Sequence, residues 1–339
     1  MTIREPLFGK TYNELLGVVK DLGMPAYSAR QIAEWLYKKN VSSPDGMTNL
    51  SKKFRNELKK KFAPGTVPWS KENISADGAK KYLFPVSNAE YVETVYIPEQ
   101  RRKTVCISTQ VGCKWGCGFC MTGSQGFRGN LTAGEILNQL ASLPEKEEVT
   151  NIVYMGMGEP LDNPGEVLKS LDILTSAWGY GMSPRRITVS TIGIMPQMGE
   201  LLKKSNCRLA ISLHSPFEDE RLKIMPVEKH HPFKKLLKEI RSFDFENQRR
   251  VSIEYVIFRG INHSRDHAAE LAKVLNGLKC RVNLIPCHPV PGSRFQEAGP
   301  EQMQDFKEAL SSKGIPVTIR RSRGRDISAA CGQLSTKKP

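Results

Sequence analysis

Apolar positions recur at helical spacing in three stretches near the N-terminus, residues 11–22, 28–38 and 51–62, and Tyr27-Ser28 suits a helix start. From residue 80 to 96 the period changes to short β-type runs, YLFPV and YVETVYI, after a turn at Ala76-Asp77-Gly78. Beyond Thr104 apolar strands alternate with amphipathic helices. Strands are predicted at 105–108, 152–155, 187–190, 209–213, 251–257 and 282–285, and helices between them at 133–143, 165–177, 195–204, 233–243 and 267–278. Residues 300–313 and 317–321 add one more helix and strand. Repeated strand-helix units predict an α/β fold with a parallel sheet, and six of them predict a partial (β/α)6-type barrel whose site lies at the C-terminal strand ends. The predicted division is an N-terminal helical unit (1–66), a β-rich connecting segment (67–103), the barrel (104–321) and a C-terminal tail (322–339).

Composition adds three constraints. With 339 residues, 39% of them hydrophobic and 25% charged, the chain is long enough for a full core, and neither disorder nor a fibrous repeat is indicated. No stretch approaches the ~20 apolar residues that span a bilayer, and residues 1–20 carry no export signal, so a cytoplasmic protein without membrane contact is expected. Eight cysteines in such a chain point to metal or redox chemistry rather than a disulfide framework. A net charge of +15 favours a polyanionic partner. Residues 1–65 alone hold twelve Lys and Arg against six Asp and Glu, which suits either an RNA-contacting face or a solvated one.

The segment VGCKWGCGFC sets Cys113, Cys117 and Cys120 in a C-x3-C-x2-C spacing just after the first barrel strand. Three thiolates on one tight loop can hold three irons of a four-iron cluster and leave the fourth open to another ligand. Structural zinc would need a fourth protein ligand, and no second Cys or His pair lies close in sequence. The next strand ends in Met155-Gly156-Met157-Gly158-Glu159-Pro160, where glycine lets backbone approach a ligand and a carboxylate suits an ammonium group. Two further strand ends, Ser190-Thr191 and Ser212-Leu213-His214, put hydroxyls and an imidazole on the same rim. His230 and His231 are expected at the surface, and Cys207, Cys280 and Cys287 in packed positions.

The cysteine spacing, with Phe119 before the last thiol, resembles the radical S-adenosylmethionine (SAM) superfamily. That resemblance implies a 4Fe-4S cluster on Cys113, Cys117 and Cys120, whose open iron chelates SAM and whose reduced form releases a 5'-deoxyadenosyl radical. Three further segments, VETVYIP at 92–98, CISTQVGC at 106–113 and GRDISAACGQL at 324–334, join MGMGEPLDN, ITVSTIGIMP and LAISLHSP. Together they resemble, over nearly the whole chain, the RlmN and Cfr group of RNA adenine methyltransferases.

In that group adenine carbons 2 and 8 are too electron-poor to attack a methyl sulfonium, so the methyl group travels by a radical route using two SAM per turnover. The resemblance implies Cys331 as the methyl carrier, Cys106 as the thiol that resolves a protein-RNA crosslink by thiol-disulfide chemistry, and Glu93 as the proton acceptor. It implies SAM contacts at Gly158, Glu159, Ser190, Ser212, Leu213 and His214, and at His288, where the family pattern carries Asn. A mobile tail would bring Cys331 to the site. The basic run Arg320, Arg321, Arg323 and Arg325 would suit RNA phosphate. The implied partners are 23S rRNA, tRNA and an electron donor such as flavodoxin, with a monomeric enzyme. Methylation at carbon 2 is the favoured reading, because MGMGEPLDN keeps a proline associated with RlmN. Carbon 8 is the alternative within the group, and a non-catalytic iron-sulfur RNA-binding protein the alternative outside it.

Overall fold

The computed structural model describes residues 4–63, 65–243 and 250–336. Ten strands form its main sheet: β1 (Lys71–Ile74), β2 (Lys80–Val86), β3 (Glu90–Pro98), β4 (Lys103–Cys106), β5 (Asn151–Tyr154), β6 (Ile187–Thr191), β7 (Arg208–Ser212), β8 (Val251–Ile257), β9 (Cys280–Pro286) and β10 (Val317–Ile319). They pair in that same order. From β4 to β10 every junction is parallel, as strand-helix repeats require, and β1 to β4 run antiparallel as a meander that extends the same sheet. All seven residues of β8 are buried, which is why VSIEYVI reads as a nearly continuous apolar run. The edge strands β1 and β10 are mostly exposed.

Helices Ala133–Ala141, Pro164–Thr175, Gln197–Lys204, Phe233–Ser242, Arg265–Leu275 and Pro300–Ser311 return the chain between parallel strands. Each begins and ends within three residues of its sequence prediction. The first is fixed by a capping box in which Thr132 and Glu135 exchange hydrogen bonds.

The N-terminal helices are Tyr12–Asp21, Ser28–Ala33, which runs on into a π turn Glu34–Lys38, and Lys52–Lys61. This unit sits on the barrel's outer helices. Asn40 donates to the Ala141 carbonyl (2.8 Å) and Lys169 pairs with Glu14 (2.8 Å). Gly9 lies so close to Gly134 that a side chain there would meet its backbone nitrogen at 2.4 Å. At the predicted division between residues 66 and 67, Val67 is tied to Asn138 by two hydrogen bonds, while Pro64 lies outside the described residues.

Candidate active site

The site is built where β4 ends. Cys106 is the last residue of that strand, and the chain beyond it is clamped by buried Gln139, which accepts from the Ser108 amide (2.7 Å) and donates to the Ser108 carbonyl (2.8 Å). A short hairpin, Gln110–Gly112 against Phe127–Asn130, then carries the cysteine loop. Gly112 is required there: its φ is +73°, and a Cβ would lie 1.8 Å from the Gly126 carbonyl. Cys113 donates back to that carbonyl (3.0 Å) and Cys120 to the Cys117 carbonyl (3.0 Å), so the loop closes on itself.

Cys106, Cys113, Cys117, Cys120 and Cys331 all line one cavity of about 1190 Å³ at the C-terminal strand ends. Burial pushes the Cys106 and Cys113 thiols up to about 12 and also raises Cys117 and Cys120. For Cys106 a neighbouring Cys331 charge adds to burial, and Arg320 opposes it. No disulfide joins any of the eight cysteines. Cys207, Cys280 and Cys287 are buried in packed positions. Among the described residues no three Cys, His, Asp or Glu side chains, the loop thiols included, close to metal-ligating geometry. The donor set nevertheless fits an iron-sulfur cluster: three half-buried thiols on one loop, where thiolates need cationic compensation, with no fourth protein ligand among the described residues.

On the opposite wall Gly158 (φ +92°) presses against Gln110, whose side-chain oxygen accepts from the Glu159 amide (2.8 Å). The Glu159 carboxylate is buried and accepts from Thr191 Oγ1 (2.5 Å) and from the amides of Leu161 (2.9 Å) and Ile192 (3.0 Å). Burial outweighs those hydrogen bonds and raises it to about 7. Ser190, Ser212 and His214 share the lining. His214 Nδ1 accepts the Val256 amide (3.0 Å), which places the ring hydrogen on Nε2, and burial, with Arg221 adding, lowers the ring to about 3.

Leu213 does not line the cavity. Its side chain is fully buried on the other face, and its carbonyl accepts from Arg221 Nε (3.1 Å). Arg221 was not anticipated; it is fully buried, ion-paired with Glu228, and also donates to the carbonyls of Ile192 and Ser212, tying two rim loops together. His230 is exposed as expected, but His231 is half-buried, and both rings stand edge-on to Trp115 of the cysteine loop.

The tail is pinned, not loose. Asp326 accepts from Ser75 Oγ (2.6 Å), Gly324 donates to Asp77 (2.9 Å), the Gly332 carbonyl accepts from the Met121 amide (2.7 Å) and Thr336 donates to Gln125 (3.0 Å). It runs as a partition. Ala329 to Gly332 and Leu334 face the thiol cavity, while Ser328, Gln333 and Ser335 face a second cavity that holds Glu93. Glu93 is therefore brought to the tail but not to the sulfurs, and it is ion-paired with Lys81 (2.9 Å).

His288 likewise stays outside the thiol cavity, with Nε2 against Ser322 Oγ (2.7 Å) and Nδ1 buried without a partner. Nor is the arginine run a free basic patch. Arg325 pairs with Glu297, Arg323 reaches the Asp77 carbonyl, and Arg320 turns into the thiol cavity, 4.0 Å from Glu254. The Arg320 cation is stabilised first by the Cys331 sulfur and further by Glu254 and Cys106. Glu254, too, escaped sequence reasoning; it is buried in the lining, and its Oε2 has no hydrogen-bond partner.

A partial barrel with three loop thiols at its mouth is the architecture of the radical SAM enzymes, and residues 107–272 match the Radical SAM superfamily model. Residues 6–63 match the ribosomal RNA large subunit methyltransferase N-terminal domain. The chain is 53% identical to a probable dual-specificity RNA methyltransferase RlmN of Bacteroides fragilis, covering 98% of this chain and 97% of that one. It is 42% identical to the dual-specificity RNA methyltransferase RlmN of Geotalea uraniireducens, covering 96% and 94%. The crystal structure of a radical SAM methyltransferase from Sphaerobacter thermophilus superposes with a TM-score of 0.92 at 40% identity, over 98% of this chain and all of that one. The chain belongs to the RlmN family of radical SAM RNA methyltransferases.

Proposed function

We propose that the protein methylates carbon 2 of an adenosine in the peptidyl-transferase region of 23S rRNA, and of the adenosine 3' of the anticodon in some tRNAs. The observation that carries this reading is the shared cavity of Cys106, Cys331 and the three-cysteine loop, two thiols more than radical generation needs. A 4Fe-4S cluster on Cys113, Cys117 and Cys120, with SAM, supplies the 5'-deoxyadenosyl radical. Cys331 accepts the methyl group in the cavity it shares with Arg320. Cys106, at the foot of the same cavity, resolves the crosslink with RNA. Glu93 takes up the ring proton from the other side of the tail partition. A basic cytoplasmic enzyme working as a monomer with an acidic electron donor such as flavodoxin fits the +15 charge, and among the described residues no helix is long and apolar enough to cross a membrane. Mass spectrometry of the modified nucleoside tests the reading, with a carbon-8 product overturning it.

Glu159, caged by three donors and lacking a cation, suits the SAM ammonium. Glu159→Gln is expected to weaken SAM binding by about 30-fold or more, since breaking a buried charge pair costs ~2 kcal/mol at least. The carboxylate must be ionised to pair. Because burial raises it to about 7, SAM affinity is expected to fall as pH drops through that value and to level off above it. Anaerobic calorimetry between pH 6 and 8 checks both outcomes.

In the N-terminal unit Lys59 is paired with Asp45 and Lys60 with Glu57, so two of these lysines already have acidic partners. Replacing Lys59, Lys60 and Lys61 together by Ala is still expected to weaken RNA binding and to lower its salt slope by about 1 for each phosphate the protein no longer neutralises. SAM cleavage should be unaffected. An unchanged salt slope would mark the helix as a solvated face.

A further inference from the structure

Lys81 lies on β2 opposite Val95 of β3 and reaches diagonally to Glu93 two residues along that strand, and its side chain is almost as buried as its partner's, 11% against 9% exposed. Its ammonium sits 2.9 Å from Glu93 Oε1 and also donates to the Ser328 carbonyl (3.2 Å). Ser328 stands three residues before Cys331, in a left-handed conformation (φ +51°) that non-glycine residues seldom adopt without support. The other Glu93 oxygen accepts from the Ser335 amide (2.8 Å), four residues beyond Cys331. One lysine and one carboxylate thus grip the tail on both sides of the methyl-carrying cysteine. A surface ion pair would do neither, and a buried pair costs desolvation that packing residues would avoid.

The geometry points to Lys81 as a positioning residue for product formation, which aims the Glu93 carboxylate at the base and holds the Cys331 segment at a matching height. The inference rests on the assignment of Glu93 as proton acceptor. In that step the ring C–H bond breaks, its electron pair stays on the ring carbon, and the proton goes to Glu93. Lys81 lines the Glu93 cavity and not the thiol cavity. Its influence therefore falls after the methyl group has been loaded, because loading happens in the thiol cavity on the other face of the tail.

The test compares Lys81→Met, Lys81→Gln and Lys81→Arg in the reconstituted holoenzyme, in anaerobic single turnovers with SAM, reductant and a synthetic rRNA hairpin. Methyl on Cys331 is read by peptide mass spectrometry, 5'-deoxyadenosine by chromatography, and methyladenosine by nucleoside analysis. Lys81→Met is expected to load Cys331 within about twofold of the parent, yet to lose methyladenosine by ~30-fold, the size of effect that mispositioning of reacting groups produces. Lys81→Gln keeps a donor for Ser328 without the charge, tolerates burial better, and should show the same split. Lys81→Arg should recover most of the product. Normal methyladenosine in Lys81→Gln, or a parallel loss of loading and product in both neutral variants, overturns the proposal. Glu93→Gln separates the two claims. If it methylates normally the Glu93 assignment itself fails, whereas a blocked Glu93→Gln beside a fully active Lys81→Gln removes only the role of Lys81.

Discussion

Cys106→Ala is expected to leave RNA covalently bound to the protein through a methylene bridge to Cys331, visible as a nuclease-sensitive band of higher mass on a denaturing gel. Both sulfurs line one cavity, which is what exchange between them requires once the tail carries its adduct. Removing the resolving thiol leaves every earlier event intact. Methylcysteine still forms, 5'-deoxyadenosine is still released, and free methylated RNA falls by roughly 10³-fold or more, the scale on which removing a nucleophile acts. Cys331→Ala should behave differently: neither methylcysteine nor crosslink forms, although the cluster is retained. Normal turnover by Cys106→Ala would end the two-cysteine account.

The second large effect concerns the loop. Alanine at Cys113, Cys117 or Cys120 is expected to abolish the oxygen-sensitive four-iron absorbance and all SAM cleavage, because no other Cys or His in the cavity apart from the two catalytic thiols and His214 could replace a lost ligand. His214 is unsuited to that work, since its Nδ1 already accepts the Val256 amide. Iron and sulfide analysis after anaerobic reconstitution is the measurement. Zinc at one equivalent without iron in the parent protein would contradict the assignment.

Much of this was legible because the strongest signals are local. Strand-helix alternation gave seven parallel strands, and C-x3-C-x2-C needs only one loop to bring its thiols to one cavity. Shorter or polar elements were missed: β1 (KENI), the hairpin below the cysteine loop and the helix Glu218–Ile224 have too few apolar positions to show a period. The burial of the Leu213 side chain was not legible either, because Leu213 and His214 lie just past the end of β7 and His214 is in a left-handed conformation, where strand alternation no longer applies. A carboxylate inside the apolar run VSIEYVI, by contrast, signalled Glu254 as more than packing. The tail was beyond reach. Its contacts join residues 324–336 to residues 75–93 and 121–125, and no window along the chain contains both ends. For the same reason the arginine run read as free charge when Arg320, Arg323 and Arg325 have partners, and Glu93 was grouped with the sulfurs when the tail divides them.

The pairing of all ten sheet strands in chain order bears on how the enzyme is made. Each new strand pairs with the strand made just before it, so the barrel can grow during synthesis without waiting for later parts of the chain. Only the tail must travel back across the finished barrel to its anchor points near Ser75, Glu93 and Gln125. A growing or clipped chain would thus be folded yet unable to accept a methyl group, and the reactive sulfur joins its partners only after everything that contains it is in place.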